Sequence, residues 1–199
     1  FMKIILKKIE TELVIKNSRF INELFVCNSQ NLAREIIKQQ KDKYLDASHV
    51  CHAFVIGEGA EILGMSDAGE PSGTAGRPML DVLKGSGITD ILLTVTRYFG
   101  GTLLGTGGLV KAYGECAKSV IAKALEENAV EELVEKTEFC FSCDYGLYET
   151  LKRQIKDFKL YDVQESYSDT VTLKGKILSE QFKTFSDKIK NISSGKIIL

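Results

Sequence analysis

The chain has 199 residues, 44% of them hydrophobic and 27% charged, with a formal net charge of −1. That is an ordinary globular composition, long enough for one large domain or two small ones. The near-neutral balance excludes a protein drawn to nucleic acid or anionic membrane by its overall field, and no apolar run reaches the length of a membrane span.

The five cysteines, Cys27, Cys51, Cys116, Cys140 and Cys143, are odd in number and widely spread. This fits free thiols in a reducing cytoplasm better than a disulfide framework. The amino terminus lacks a signal-peptide pattern, and Met2 reads as the natural start.

Residues 9–16 and 19–27 read as two strands around a turn at Asn17-Ser18. Asn28 or Ser29 then caps a helix whose apolar stripe is Leu32, Ala33, Ile36, Ile37 and Tyr44. Residues 48–56 and 61–65 read as two further strands. Residues 79–83 read as a helical turn started by Pro78. The run Ile91, Leu92, Leu93 and Val95 marks residues 88–99 as a strand buried on both faces. A long helix follows from about Gly107, with Leu109, Ala112, Tyr113, Cys116, Ala117, Val120, Ile121 and Ala124 at three-and-four spacing.

From about residue 130 a second domain is expected. Residues 138–145 alternate Phe139, Phe141, Cys143 and Tyr145 on one face. Leu147, Leu151, Ile155 and Phe158 mark a helix. Residues 160–167 and 170–177 alternate again. Phe182, Phe185, Ile189 and Ile192 mark a second helix capped by Ser179, and residues 196–199 close as a strand. The order β-α-β-β-α-β is the ferredoxin-like pattern.

Fourteen of the seventeen glycines fall between Gly57 and Gly114, as do both prolines, Pro71 and Pro78. Ordered glycine costs backbone entropy, so such a cluster marks main chain that needs positive φ or a close approach. Two loops carry it: SDAGEPSGTAGRP (66–78) and TRYFGGTLLGTGGLVKAYG (96–114).

The second loop runs strand, then Gly100, Gly101, Gly105, Gly107 and Gly108, then helix, which is the layout of a phosphate cradle on a helix N-terminus. Lys111 falls in the first helical turn and off the apolar stripe, where a bound anion would offset its clash with the macrodipole. Neither a Walker A pattern nor G-x-G-x-x-G is present. The competing reading is tight loop packing.

The first loop offers Asp67, Glu70, Ser72, Thr74 and Arg77. Its acids read as Mg²⁺-phosphate ligands or, more strongly, as partners that fix the loop to Arg77 or Arg97. Arg97 ends the buried strand and is aimed at a ligand in preference to a carboxylate, because α/β sites form at strand C-terminal ends. His49, Cys51 and His52 do not share one strand face, so they make no zinc site. His49 remains as a pocket-lining residue. Cys140 and Cys143 lie three apart on a strand and read as structural. No catalytic constellation, metal set or cofactor motif emerges.

Ser18-Arg19-Phe20, ASHVC (47–51) and the two glycine motifs resemble the YigZ/IMPACT family, and the C-terminal part resembles the small domain of its bacterial members. The resemblance implies an α/β (α+β) chain. An N-terminal domain (2–133) would be like domain IV of elongation factor G and the GHMP kinases, and a ferredoxin-like domain would span 134–199. It carries over His49, Asp67, Glu70, Ser72, Thr74, Arg77, Arg97, Tyr98, Gly100, Gly101, Gly105, Gly108 and Lys111. Ala68 stands where the family has a second acid, which weakens any two-acid metal site.

Eukaryotic members regulate translation through a partner protein. The expectation is therefore a cytoplasmic, translation-linked binding protein with an anion site for phosphate or RNA backbone. Its partners would be RNA, the ribosome, a translation-related protein or a phosphate-containing small molecule, and no membrane. Phe139, Phe141, Tyr145, Tyr161 and Tyr167 are the candidates for stacking aromatics that would add an RNA surface on the second sheet, although most of them are expected to face the core. The alternatives are a nucleotide-dependent phosphotransferase or hydrolase using the same loops, and a protein–protein module.

Overall fold

The fold is described from a computed structural model over residues 2–199. The chain divides into two compact units, Phe1–Leu133 and Val134–Leu199.

The first unit opens with a short strand β1 (Lys3–Ile5), then β2 (Ile9–Ile15) and β3 (Ser18–Val26). Lys16 and Asn17 both take positive φ between β2 and β3, the geometry of a tight hairpin, so the turn lies one residue before the expected place. Helix α1 (Gln30–Lys43) starts where Ser29 Oγ accepts from the Leu32 N–H. Then come β4 (His49–Ile56), β5 (Ile62–Ser66), α2 (Gly76–Gly85), β6 (Ile91–Tyr98), α3 (Thr106–Glu126) and β7 (Val130–Glu132).

Five strands form one antiparallel sheet in the order β2-β3-β6-β4-β5. β1 pairs with β7. These two three-residue strands are too short to show a period, and the sequence pattern missed both.

Helices cover both faces of β6, as its nearly continuous apolar run requires. Ile91, Leu93 and Val95 join Phe20, Leu24, Cys51, Ala53 and Val55 under α2 and α3. Leu92 joins Cys27, Ile56, Ala33 and Ile36 under α1. The buried stripe of α3 is Leu109, Ala112, Tyr113, Cys116, Ala117, Val120 and Ala124.

On the α1 side, Glu23, Thr94 and His52 stand opposite one another across β3, β6 and β4. Glu23 is buried and held by Lys8 (2.6 Å) and Lys43 (3.0 Å). Burial, and secondarily the Lys41 charge, push the His52 imidazole down to about 4.

The second unit runs β8 (Lys136–Cys143), α4 (Tyr145–Gln154), β9 (Leu160–Tyr167), β10 (Val171–Leu178) and α5 (Ser179–Ile192), with sheet order β8-β10-β9. Phe139, Phe141, Leu173, Ile177, Phe185 and Ile189 build its core against both helices. This is the ferredoxin-like order up to its final strand.

Residues 196–199 do not join the sheet. The Lys196 N–H bonds the Ser193 carbonyl and the Ile197 N–H bonds Ser193 Oγ, so the segment is tied to the helix end, while Ile197 and Leu199 still pack into the core. Ser179 is not a cap either. It is the first residue of α5, and its hydroxyl meets Thr137 Oγ1 at 2.8 Å.

The outward face of β8 carries Glu138, Cys140 and Ser142. Phe139 and Phe141 lie in the core, and Tyr145 and Tyr167 are exposed as a stacked pair. Tyr161 is half-buried on β9 with Lys136 and Lys159 over its ring, so the two phenylalanines face the core as expected and the sheet presents no continuous row of exposed aromatics.

His52 has an ordinary value of 6.5 and a folded value of about 4, so below pH 6.5 the unfolded chain takes up the proton first. Stability is fully present above pH 6.5 and falls as pH drops toward 4, by up to about 3 kcal/mol from this residue. Urea unfolding of wild type and His52→Gln from pH 7 to pH 4 is expected to show a shallower loss in the variant. Equal slopes would exclude His52 as a source.

Candidate ligand cleft between the two glycine loops

The first glycine loop is wound around one carboxylate. Asp67 accepts from the backbone N–H of Gly73 (2.8 Å), Ala75 (3.0 Å) and Gly76 (2.8 Å). Burial opposes its ionisation, but these three donors outweigh burial and hold the carboxyl below its ordinary value. The same bonds start α2 at Gly76, three residues ahead of the expected helical turn, because Asp67 does the work that the adjacent Ala75 cannot do as a cap. The Thr74 hydroxyl donates to the Pro71 carbonyl at 2.6 Å. Asp67 and Thr74 are thus committed inside the loop.

Glu70 leaves the loop and meets Arg97. The two are 8% and 5% exposed, and Arg97 Nη1 donates to Glu70 Oε1 at 2.7 Å. The expectation that Arg97 is aimed at a ligand is corrected here. A guanidinium this deep needs a buried carboxylate, since an unpaired charge would cost far more than the pairing.

Tyr113 of α3 donates to the same Glu70 oxygen at 2.8 Å, and Arg97 Nη2 reaches Ser18 Oγ at 3.3 Å. His49 Nδ1 lies 3.0 Å from the Ala68 carbonyl, and its Nε2 is 3.8 Å from Glu70 Oε2. A carbonyl only accepts, so Nδ1 donates, and in the neutral ring Nε2 carries the lone pair. Burial pushes the Cys51 thiol up to about 12 and pushes the Tyr113 phenol up as well. Neither is a nucleophile at neutral pH. Ser18, Cys51 and Tyr113 were not singled out for this network, because only strand pairing brings Ser18 to the end of β6 and only packing brings α3 there.

The second loop starts α3. Gly105 has φ 75° and gives no side-chain cap, and the first turn carries no acid. Among the described residues, no acceptor meets the N–H groups of Thr106, Gly107 or Gly108. Of these residues Thr106 lines a cleft of about 410 Å³, and Gly107 and Gly108 follow it on the helix. Its floor includes His49, Glu70 and Arg97, and its walls are Pro71, Phe99, Leu103, Leu104 and Leu109.

The expected site set is divided by the structure. His49, Glu70, Arg97 and Gly105 line this cleft, and Gly107 and Gly108 adjoin it on α3. Lys111 is exposed and sits in the second turn of α3, not the first. Arg77 is exposed and paired with Asp81 at 2.9 Å. Tyr98 donates to Asp46 at 2.9 Å. Ser72 is exposed on the first loop outside the cleft lining, and Gly101 holds φ 84° at the surface. Among the described residues, no group of three His, Cys, Asp or Glu is placed to hold a metal.

Gly100 serves packing. A Cβ there would lie 2.0 Å from the Asn17 carbonyl, so Gly100→Ala is expected to cost about 3 kcal/mol. A Cβ at Gly107 would meet nothing within 4 Å, and Gly107→Ala is expected to stabilise by about 0.5–1 kcal/mol through helix propensity. Urea midpoints check both. Glu70→Ala or Arg97→Ala strands a buried charge and is expected to cost about 3–5 kcal/mol, with the apolar double variant Arg97→Met, Glu70→Leu recovering much of the loss. Single variants as stable as wild type would show that the pair is not buried in solution.

The Impact N-terminal domain family matches residues 16–121, and the Domain of unknown function (DUF1949) family matches residues 141–196. The chain is similar to IMPACT family member YvyE of Bacillus subtilis, 35% identical over 187 residues, covering 94% of this chain and 84% of that protein. It is likewise 35% identical over 187 residues to IMPACT family member YigZ of Escherichia coli, covering 93% and 90%. A crystal structure of a hypothetical protein is 34% identical, with a TM-score of 0.66 over 98% of this chain and 94% of that one. The two family matches, the sequence identity over most of the chain and the fold of the solved relative agree, and the chain belongs to the IMPACT family.

Proposed function

We propose that this chain is a cytoplasmic regulatory binding protein linked to translation, and that the cleft between its glycine loops holds a phosphate group of its ligand. The translation link rests on the family, whose eukaryotic members regulate translation. No helix among the described residues is long and apolar enough to cross a membrane, in keeping with a partner met in solution.

The observation that carries the phosphate reading is the bare first turn of α3. Three N–H groups without acceptors stand at the positive end of a 21-residue helix, and the first of them, Thr106, belongs to a residue that lines the cleft. The walls add a second requirement. Phe99, Leu103 and Leu104 are apolar and the Arg97 charge is already matched by Glu70. The ligand therefore brings an apolar or aromatic body behind its negative head, as a nucleotide of an RNA chain does. Leu103, 82% exposed at the rim, favours a macromolecule over a small free anion. The floor favours binding over turnover, because its Glu70 carboxylate is committed to Arg97 and to the Tyr113 phenol buried behind it.

Amide chemical shifts of the full chain, titrated separately with inorganic phosphate, AMP and a short uridine oligonucleotide, test the reading. Gly107 and Gly108 are expected to move, most strongly with the oligonucleotide, and affinity is expected to fall with added salt. Gly107→Asp places a carboxylate on the bare turn and is expected to weaken binding about tenfold or more without lowering the urea midpoint. No movement at these glycines with any of the three probes would overturn the proposal.

A further inference from the structure

The β5 edge of the main sheet, with the groove on the face turned away from the cleft, makes a second surface that the proposed function does not use. Strand β5 ends the sheet, so one side of its backbone is unpaired. Natural edge strands are guarded by charge, proline or a bulge. The segment Ile62–Ser66, ILGMS, has neither charge nor proline, and it leaves Leu63 40% and Met65 48% exposed. Beside it, α1 and β4 frame a groove of about 580 Å³. Phe54 and His52 are on its floor, and Arg34, Lys38 and Lys41 rise from one flank of α1. None of the three cations has an ion pair among the described residues, and the only acid lining the groove is Asp42. His52 Nδ1 is buried without a partner.

The register assigns a chemistry to each face of this edge. Leu63 and Met65 stand opposite Val55 and Ala53, and so face the α2 and α3 side. Ile62, Gly64 and Ser66 stand opposite Ile56, Phe54 and His52, and so face the α1 groove. A sixth strand laid along β5 would alternate in the same way. One set of its side chains would lie beside Leu63 and Met65, and the other would lie toward Arg34, Lys38 and Lys41.

We infer that β5 is a docking edge for an extended segment of a partner protein in which acidic residues alternate with apolar ones. A second copy of this chain fits less well. Two β5 strands paired antiparallel would bring two basic flanks of α1 onto the same face, with no acid on β5 to balance them. RNA fits less well because it lacks the regular backbone donors and acceptors that a strand edge offers.

The probe is an acetylated, amidated peptide alternating Glu and Val over eight residues, with a Lys-Val peptide and a uridine octamer as controls. Amide shifts of the full chain are followed. The Glu-Val peptide is expected to move β5 amides and the Arg34–Lys41 flank of α1, and the controls are expected to leave them in place. The double variant Lys38→Glu, Lys41→Glu changes two exposed side chains and is expected to weaken the peptide about tenfold. Gly107→Asp is expected to leave this binding intact, which separates the two surfaces. The inference is overturned if the Lys-Val peptide binds as well, if the octamer moves the same amides, or if the shifts fall elsewhere. It is also overturned if sedimentation shows a dimer that Leu63→Lys dissociates, since the edge would then belong to a second copy.

Discussion

The ion pair between Arg97 and Glu70 is the contact on which the first unit turns. It joins the end of the central strand to the first glycine loop, and through Tyr113 and Ser18 it reaches α3 and the start of β3. Desolvating both charges is costly, and the cost is recovered only when each finds its full set of partners. The pair therefore acts less as a source of stability than as a condition on geometry. Two loops that are far apart in sequence must meet at one place, or a charge is left buried alone.

Its consequence for the cleft is chemical. With the guanidinium already matched, the hollow between the loops has carbon walls over a floor whose charges are paired with each other, and Thr106 at the bare start of α3 stands at its edge. The glycines that frame it do different jobs. Gly100 is small because the Asn17 backbone touches it, and Gly105 turns the chain with φ 75°. Gly107 has open space around it, and its lack of a side chain leaves the helix end accessible. One compositional cluster thus divides into packing, turning and exposure.

The main sheet presents two kinds of surface because its helices are unequally shared. Two helices close one side over a continuous core, and α1 alone covers the other. That leaves a basic flank and an unguarded edge at β5, away from the bare turn of α3. The family relationship explains why both units occur in one chain, but the character of each surface comes from the side chains found here.

Periodicity alone made much of this architecture readable. The both-sided burial of β6, the stripe of α3 and the alternation of β8 follow from patterns of 2 and 3.6 residues, which are local properties of the chain. Segments without a full period, β1 and β7, left no trace in the pattern. The closing segment 196–199 is apolar enough to read as a strand, yet the backbone donors of Lys196 and Ile197 are captured by Ser193 at the end of α5.

The tertiary structure alone decided what the polar side chains do. Arg97 was legible as a buried arginine at a strand end, but whether it faced a carboxylate or a ligand depended on Glu70, 27 residues away in sequence. Asp67 read as a Mg²⁺-phosphate ligand or, more strongly, as a partner fixing the loop to an arginine, and it fixes the loop through backbone N–H groups as the remote cap of α2. Lys111 and Arg77 were near the loops in sequence and lie outside the cleft in space. Hydrophobic burial is set by spacing along one element, whereas pairing of charge and hydrogen bonds is set by which elements meet, and that is decided only when the chain folds.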